Sequence, residues 1–394
     1  MPPRFFIDLS HTSHTRARTG VQRVSRALHR ELGASATALC FDPFEGTWRP
    51  IESWESANLE STSPASGRGS RWPLLARLRG RLRRRPSPLE ALAAEPGEGA
   101  GGLIVPEIFS SEAAAALPSL LAATKGPRVA LFHDAVALQY PEFTPRSTVA
   151  RFPSYLRELL LFDGIAAVSE ASRSSLLDYW KWLGVAKVPE VAALTLGIEP
   201  RVLPNPPGNV PGAPVVLCVS SIEGRKNHAA LLGACERLWA AGMKFELRMI
   251  GLANAETGGQ AIALMEKLRS AGRSLRYDGA VPEAELESAY AGCLFTVYPS
   301  LAEGFGLPVA ESLSRGKACA CSLEGAIGEI ARGGGCKGIG SASSGEIAGA
   351  IGDLLHSPDE RLALEEAAGT RRFKTWPQYT AELLTWMGTL NRNS

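Results

Sequence analysis

A chain of 394 residues, 45% hydrophobic and 21% charged with a formal net charge of +2, is too apolar and too nearly neutral for a disordered polymer or a general polyanion binder. At roughly 150 residues per domain its length is that of two domains. No stretch reaches the ~20 unbroken apolar residues of a transmembrane helix, and Met-Pro-Pro-Arg opens no secretory signal. The seven cysteines lie at wide, irregular spacings that make no disulfide framework, so a reducing, cytoplasmic setting is expected.

In chain order, residues 5–9 read as a strand, and Val21, Val24, Leu28 and Leu32 mark one face of a helix. Residues 61–89 form an insertion: a Ser/Gly/Pro-rich stretch, then Arg71, Arg77, Arg79, Arg81, Arg83, Arg84 and Arg85, with no acid before Glu90. Trp72, Leu74, Leu75, Leu78 and Leu82 interleave at near-helical spacing. That pattern fits a basic amphipathic helix on an anionic membrane surface, with Trp72 and the leucines inserted and the arginines on phosphates. It also fits a solvated insertion. Nucleic acid is disfavoured, because no nucleic-acid fold accompanies the arginines. Residues 129–132 are a second strand ending at His133-Asp134, and residues 164–168 a third, running into a helix start at Ser169.

The run PNPPGNVPGAP (204–214) cannot continue a helix or central strand and marks a linker over 205–214. A second strand–helix series follows: strands over 215–219, 245–250, 294–298 and 318–321, helices over 227–241, 283–292, 308–314 and 345–355. This alternation predicts α/β architecture, two doubly wound domains facing across a cleft: residues 1–204, then 215–376, with a last helix in 377–394.

Ligands of such sheets bind beyond the carboxyl ends of strands, and two loops there carry chemistry. In the first, Glu303-Gly304-Phe305-Gly306-Leu307-Pro308-Val309-Ala310-Glu311, the glycines admit a ligand against bare backbone. Pro308 suits a helix start whose amides form an anion site. Glu303 and Glu311, the latter expected in the first helical turn, suit sugar or ribose diols. In the second loop, Arg225 and Lys226 follow a strand and precede Asn227, a candidate helix cap. Their forked and compact positive charges suit phosphate. His133 ends a strand of the first domain, where it can exchange a hydrogen bond or a proton. Gly20 sits at a loop-to-helix junction. No Asp-x-Asp occurs, and His11-x-x-His14 and Cys319-x-Cys321 lack further ligands at metal spacing, so no metal and no cofactor is expected.

EGFGLPVAE (303–311) resembles the Glu-x7-Glu signature of retaining nucleotide-sugar glycosyltransferases of the GT-B fold, glycosyltransferase family 4. SIEGRKNH (221–228), FHDAVALQYPE (132–142), VSEASRSSLLD (168–178) and TGVQRVSRAL (19–28) follow in the order of that family. The resemblance implies two Rossmann-like domains, the first for the acceptor and the second for the donor, with the C-terminal helix packed back on the first. It implies that Lys226 contacts the donor diphosphate, with Arg225 less securely matched because many members place their arginine where this chain has Ser221. It implies further that Glu303 and His133 lie at the transferred sugar and that Gly304, Phe305, Gly306 and Leu307 lie along sugar and phosphate. Glu311 then holds ribose, and Gly20 closes over the diphosphate. The expected activity is hexose transfer, first from GDP-mannose, to a glycan or lipid-linked glycan in surface polysaccharide synthesis. The rivals are another GT-B enzyme, an epimerase or phosphorylase, and a non-catalytic scaffold.

Overall fold

The computed structural model describes residues 5–61, 72–82, 102–199 and 213–391, with the side chains of 79–82 set aside. Arg83, Arg84, Arg85, Arg71 and most of the linker lie outside the described residues. The chain forms two compact units. The first comprises Met1–Asp134, Ala150–Leu196 and Trp376–Ser394; the second comprises Ala135–Val149 and Gly197–Thr375.

In the first unit, strands β1 (Phe5–Asp8), β2 (Ala36–Asp42), β3 (Thr47–Pro50), β4 (Gly102–Val105), β5 (Arg128–Phe132), β6 (Gly164–Ala167) and β7 (Glu190–Ala193) form a seven-stranded sheet in the order β3-β2-β1-β4-β5-β6-β7. Only β3 runs antiparallel to its neighbour. Strands β4 and β6 are buried along their whole length, as expected where helices cover both faces. The Gly20–Leu32 helix buries Val24, Leu28 and Leu32 as its periodicity predicts. Ser169 caps the Glu170–Trp182 helix by accepting from the Ser172 amide at 3.0 Å.

In the second unit, β8 (Val215–Val219), β9 (Glu246–Ile250), β10 (Leu275–Tyr277), β11 (Phe295–Tyr298), β12 (Cys319–Ser322) and β13 (Cys336–Ile339) form a six-stranded parallel sheet in the order β10-β9-β8-β11-β12-β13. Val216, Leu247, Phe295, Val297, Ala318 and Ala320 pack on one face against Leu231, Cys235, Ile347 and Ile351. The strand order reverses between β8 and β11, which defines the topological switch point of this sheet. In the first unit the same reversal falls between β1 and β4.

The division of the chain is less simple than one break at 205–214. Residues 135–149 belong to the second unit. Phe143 lies where a side chain on Gly224 would collide with it at 2.6 Å, and the Arg146 amide donates to Glu256 at 2.9 Å. The Trp376–Met387 helix belongs to the first, where Trp386 donates to Glu190 at 2.8 Å and, with Leu390, covers the bare α-carbon of Gly164.

Close backbone approach also fixes the loop after β8. A β-carbon on Gly258, in the Ala255–Ser270 helix, would sit 2.4 Å from the Ile222 carbonyl oxygen. That carbonyl accepts the Asn254 amide at 3.0 Å, three residues before Arg225. Gly258→Ala must push helix and loop apart, at about 1–3 kcal/mol. It is expected to lower the urea midpoint with an unchanged m-value.

Candidate functional site

Both charged loops of the second unit leave strands at its switch point. Arg225 and Lys226 follow β8, and Glu303 follows β11. Glu303 Oε2 accepts from Arg225 Nη1 at 2.7 Å. Its Oε1 accepts from Lys226 Nζ, from Tyr298 Oη at 2.7 Å and from Ser300 Oγ at 2.5 Å. Lys226 also donates to Tyr298, and Arg225 to the Ala302 carbonyl at 3.2 Å.

Burial would push the Glu303 carboxyl up, but Arg225 and Lys226 outweigh it and hold the group well below the ordinary carboxylate range. Lys226 is lowered from its usual value, first by burial and then by Arg225, against the pull of Glu303. Tyr298 is pushed well up by burial and by Glu303, so it remains a donor. The result is a nearly dry cluster of two cations, the Glu303 carboxylate and two neutral hydroxyls, with Glu223 a second acid 3.4 Å from Arg225 Nε. In such surroundings charge interactions are stronger than in water.

The loop runs through Gly304 and Phe305 to Gly306, whose φ of 101° is left-handed backbone that favours glycine. Gly306 caps the Leu307–Ser314 helix, with Pro308 at its second position. Glu311 is buried, at 5% exposure, but stands fifth in the helix, and the first turn carries no acid. The expectation of a first-turn acid is corrected: the helix begins at Leu307, so Glu311 faces inward from the second turn. Asn227 occupies the cap position of the His228–Ala240 helix without capping it. It is left-handed, at φ 59°, where the chain leaves the Gly224–Lys226 turn, and its Nδ2 donates to the Ala342 carbonyl at 2.7 Å. Ser221 donates to Glu223 at 3.0 Å. His228 is buried against Ser220 Oγ at 2.9 Å, and burial lowers it to about 4, which suits helix packing.

In the first unit, His133 follows β5 and its Nε2 donates to the Pro106 carbonyl at 2.8 Å. Burial lowers its pKa, so the ring is neutral near pH 7 and, with Nε2 protonated, Nδ1 is an acceptor. The neighbouring Glu107 was not legible in the sequence. It follows β4 at the switch point and is buried. It accepts from the amides of His11 at 2.8 Å and Thr12 at 3.0 Å. Gln22 donates to His11 at 3.2 Å and accepts from Thr19, beside Gly20, the exposed first residue of its helix. One hydrogen-bonded chain thus ties the Gly20 junction to the β4 end, where the Pro106 carbonyl holds His133.

The Trp72 ring stacks on His14 at 4.1 Å and meets Trp54 and Phe44 edge-on, so it is half-buried against the first unit. Beneath it, His14, Cys40 and Glu55 bring one ligand atom each within 4.8 Å. Arg49 grips Glu55 through two bonds, at 2.8 and 3.0 Å, and His14 Nε2 meets the same carboxylate at 2.7 Å. In the Leu74–Leu82 helix, Leu74, Leu75 and Leu78 are 76%, 70% and 55% exposed, beside exposed Arg77; Arg79 and Arg81 lie on the same helix. All seven cysteines are free.

Two pH responses of opposite sign follow. Asp8, buried and next facing the Glu107 charge, is raised from 3.8 to about 6. Between those values the folded form holds a proton the unfolded chain has lost, so stability falls as pH rises. Asp8→Asn is expected to gain stability over wild type across that window in urea melts taken at a series of pH values. Glu303 has its folded pKa depressed, so its contribution is full above the ordinary 4.5 and is lost as pH falls toward the folded value. The advantage of wild type over Glu303→Gln is therefore expected to shrink below pH 4.5.

Residues 203–371 match the family described as glycosyl transferases group 1. The chain is 26% identical over 331 residues to the serotype-specific mannosyltransferase WbdA of Escherichia coli, covering 79% of this chain and 38% of that protein. It is 28% identical over 218 residues to the Escherichia coli O-antigen chain mannosyltransferase B, covering 51% of this chain and 54% of the relative. It thus spans about two fifths to half the length of these relatives. Among solved structures it is similar to sucrose-phosphate synthase from Thermosynechococcus elongatus, with a TM-score of 0.68, 16% identity and 98% of each chain covered. It is likewise similar to Anabaena HepE in complex with UDP and glucose, with a TM-score of 0.69, 14% identity and coverage of 99% of this chain and 100% of that one. Residues 203–371 thus match a glycosyl transferases group 1 domain, and the two Rossmann-like units have the GT-B fold of these solved structures.

Proposed function

We propose that the protein is a retaining, metal-independent hexosyltransferase of surface polysaccharide synthesis, with mannose from GDP-mannose as the first reading. The observation that carries the chemistry is the cluster of Arg225, Lys226 and Glu303 at the β8–β11 switch point, beside the amino end of the Leu307–Ser314 helix. Cleavage of a sugar–phosphate bond leaves negative charge on the diphosphate. Two cations and a helix amino terminus aimed at that charge lower the barrier without a metal. Glu303 and the Gly304–Leu307 backbone hold the sugar, and Glu311 the ribose. The first unit holds the acceptor, with neutral His133 accepting a hydroxyl. Transfer on one face of the sugar, with the departing phosphate taking the acceptor proton, gives retention.

Mannose as the sugar rests on the two mannosyltransferase relatives. UDP-sugars stand second, because HepE was solved with UDP and glucose. A lipid-linked glycan acceptor accords with the exposed Leu74, Leu75 and Leu78 beside Arg77, a surface suited to an anionic bilayer.

Two experiments test this reading. In a thermal-shift screen of GDP-mannose, UDP-glucose, UDP-galactose and dTDP-rhamnose, one base is expected to raise the melting temperature by mass action, unchanged by EDTA. No response in cooperatively melting protein removes the donor site, and a response abolished by EDTA removes metal independence. In flotation with vesicles, the protein is expected to rise with anionic and not with zwitterionic phospholipid. The triple change of Leu74, Leu75 and Leu78 to Ser is expected to abolish that rise. Equal flotation of wild type and triple variant contradicts the membrane reading.

A further inference from the structure

Glu303 is heavily engaged within the protein: Lys226, Tyr298 and Ser300 converge on its Oε1, and Arg225 holds its Oε2. Each carboxylate oxygen offers about two acceptor positions, so Oε1 is crowded and the position on Oε2 is shared with Arg225. The two cations are the donors with most to gain elsewhere. Tyr298 ends β11, and Ser300 is held two residues further on, fully buried and also donating to the Arg225 carbonyl at 3.1 Å. Both are neutral and gain nothing from a phosphate that they lack at Glu303. Arg225 and Lys226 differ, because a diphosphate offers them more negative charge than one carboxylate does.

We propose that Glu303 is the internal counter-ion of the phosphate-binding cations, and that a diphosphate and Glu303 compete for Arg225 and Lys226. The inference rests on the donor-site reading above. Binding of the donor diphosphate draws the two cations off Glu303 and, in the same event, opens the carboxylate to a sugar hydroxyl. A nucleoside diphosphate without its sugar must also displace Glu303, but gives that carboxylate no hydroxyl in return. Glu303 therefore works against retention of the product: once the sugar has left, the carboxylate recaptures both cations and expels the nucleotide. Tyr298, bonded to Lys226 and Glu303 together, keeps the two within reach throughout.

The competition has an unusual signature, since removal of a binding-site acid must strengthen anion binding. Isothermal titration of inorganic pyrophosphate, GDP, UDP and dTDP into wild type, Glu303→Gln and Glu303→Asp provides the test. Glu303→Gln is expected to bind pyrophosphate and the responding nucleoside diphosphate about tenfold more tightly or better, because a buried charge pair no longer has to be broken. Glu303→Asp keeps the charge but withdraws it by one methylene, and is expected to fall between. Equal or weaker binding by Glu303→Gln overturns the exchange while leaving the phosphate site in place. Wild type that binds none of the three nucleotides overturns the donor-site reading itself, and this inference with it. Should Glu303→Gln fail to melt cooperatively, Glu303→Asp decides alone: tighter than wild type supports the exchange, equal or weaker refutes it.

Discussion

The ion cluster of Glu303 with Arg225 and Lys226 sets the terms for the second unit. A buried carboxylate is tolerated only when paired, and these partners come from two loops 77 residues apart in sequence. They meet because the strand order reverses between β8 and β11 and brings the ends of those strands side by side. Removing one partner of such a pair leaves an uncompensated buried charge, at about 3–5 kcal/mol. Fold and site are therefore held by the same contacts, and the backbone fit of Gly258 against Ile222 supports the loop from below.

The first unit is organised on the same geometric principle with different chemistry. Its reversal lies between β1 and β4, and the acids there, Asp8 and Glu107, are spent on the protein itself. Asp8 accepts from Ser10 and Trp48, and Glu107 fixes the backbone of His11 and Thr12. Beside them stand neutral His133 at the end of β5 and the exposed Gly20 at the start of its helix. The second unit concentrates charge at its switch point, which under the proposed function serves a leaving diphosphate; the neutral His133 of the first would, under the same proposal, meet a sugar hydroxyl.

Much of this was legible in the sequence where the signal is local. The alternation of apolar runs and amphipathic stretches located most of the strands and helices it addressed to within a residue or two, and strand-end position drew attention to Arg225, Lys226, Glu303 and His133. Long-range contacts were not legible. Tyr298 reads as the last residue of an apolar strand, and only its partner across the switch point shows its hydroxyl at Glu303. Glu107 follows an ordinary strand, and its significance depends on a loop 95 residues earlier. Trp72 reads as the apolar partner of a run of arginines, and its stacking on His14 depends on a residue far earlier in the chain. The placement of 135–149 with the second unit rests on Phe143 and Arg146, whose partners no local pattern predicts.

The central claim is that these cations stabilise a departing diphosphate. The most direct measurement is steady-state release of nucleoside diphosphate from the responding sugar nucleotide by Lys226→Met, set against its melting curve. Loss of a donor aimed at developing charge lowers kcat by about 10²–10³-fold, so a fall of that order in cooperatively folded protein is predicted. A Lys226→Met enzyme that folds and turns over at a rate close to wild type would contradict the account.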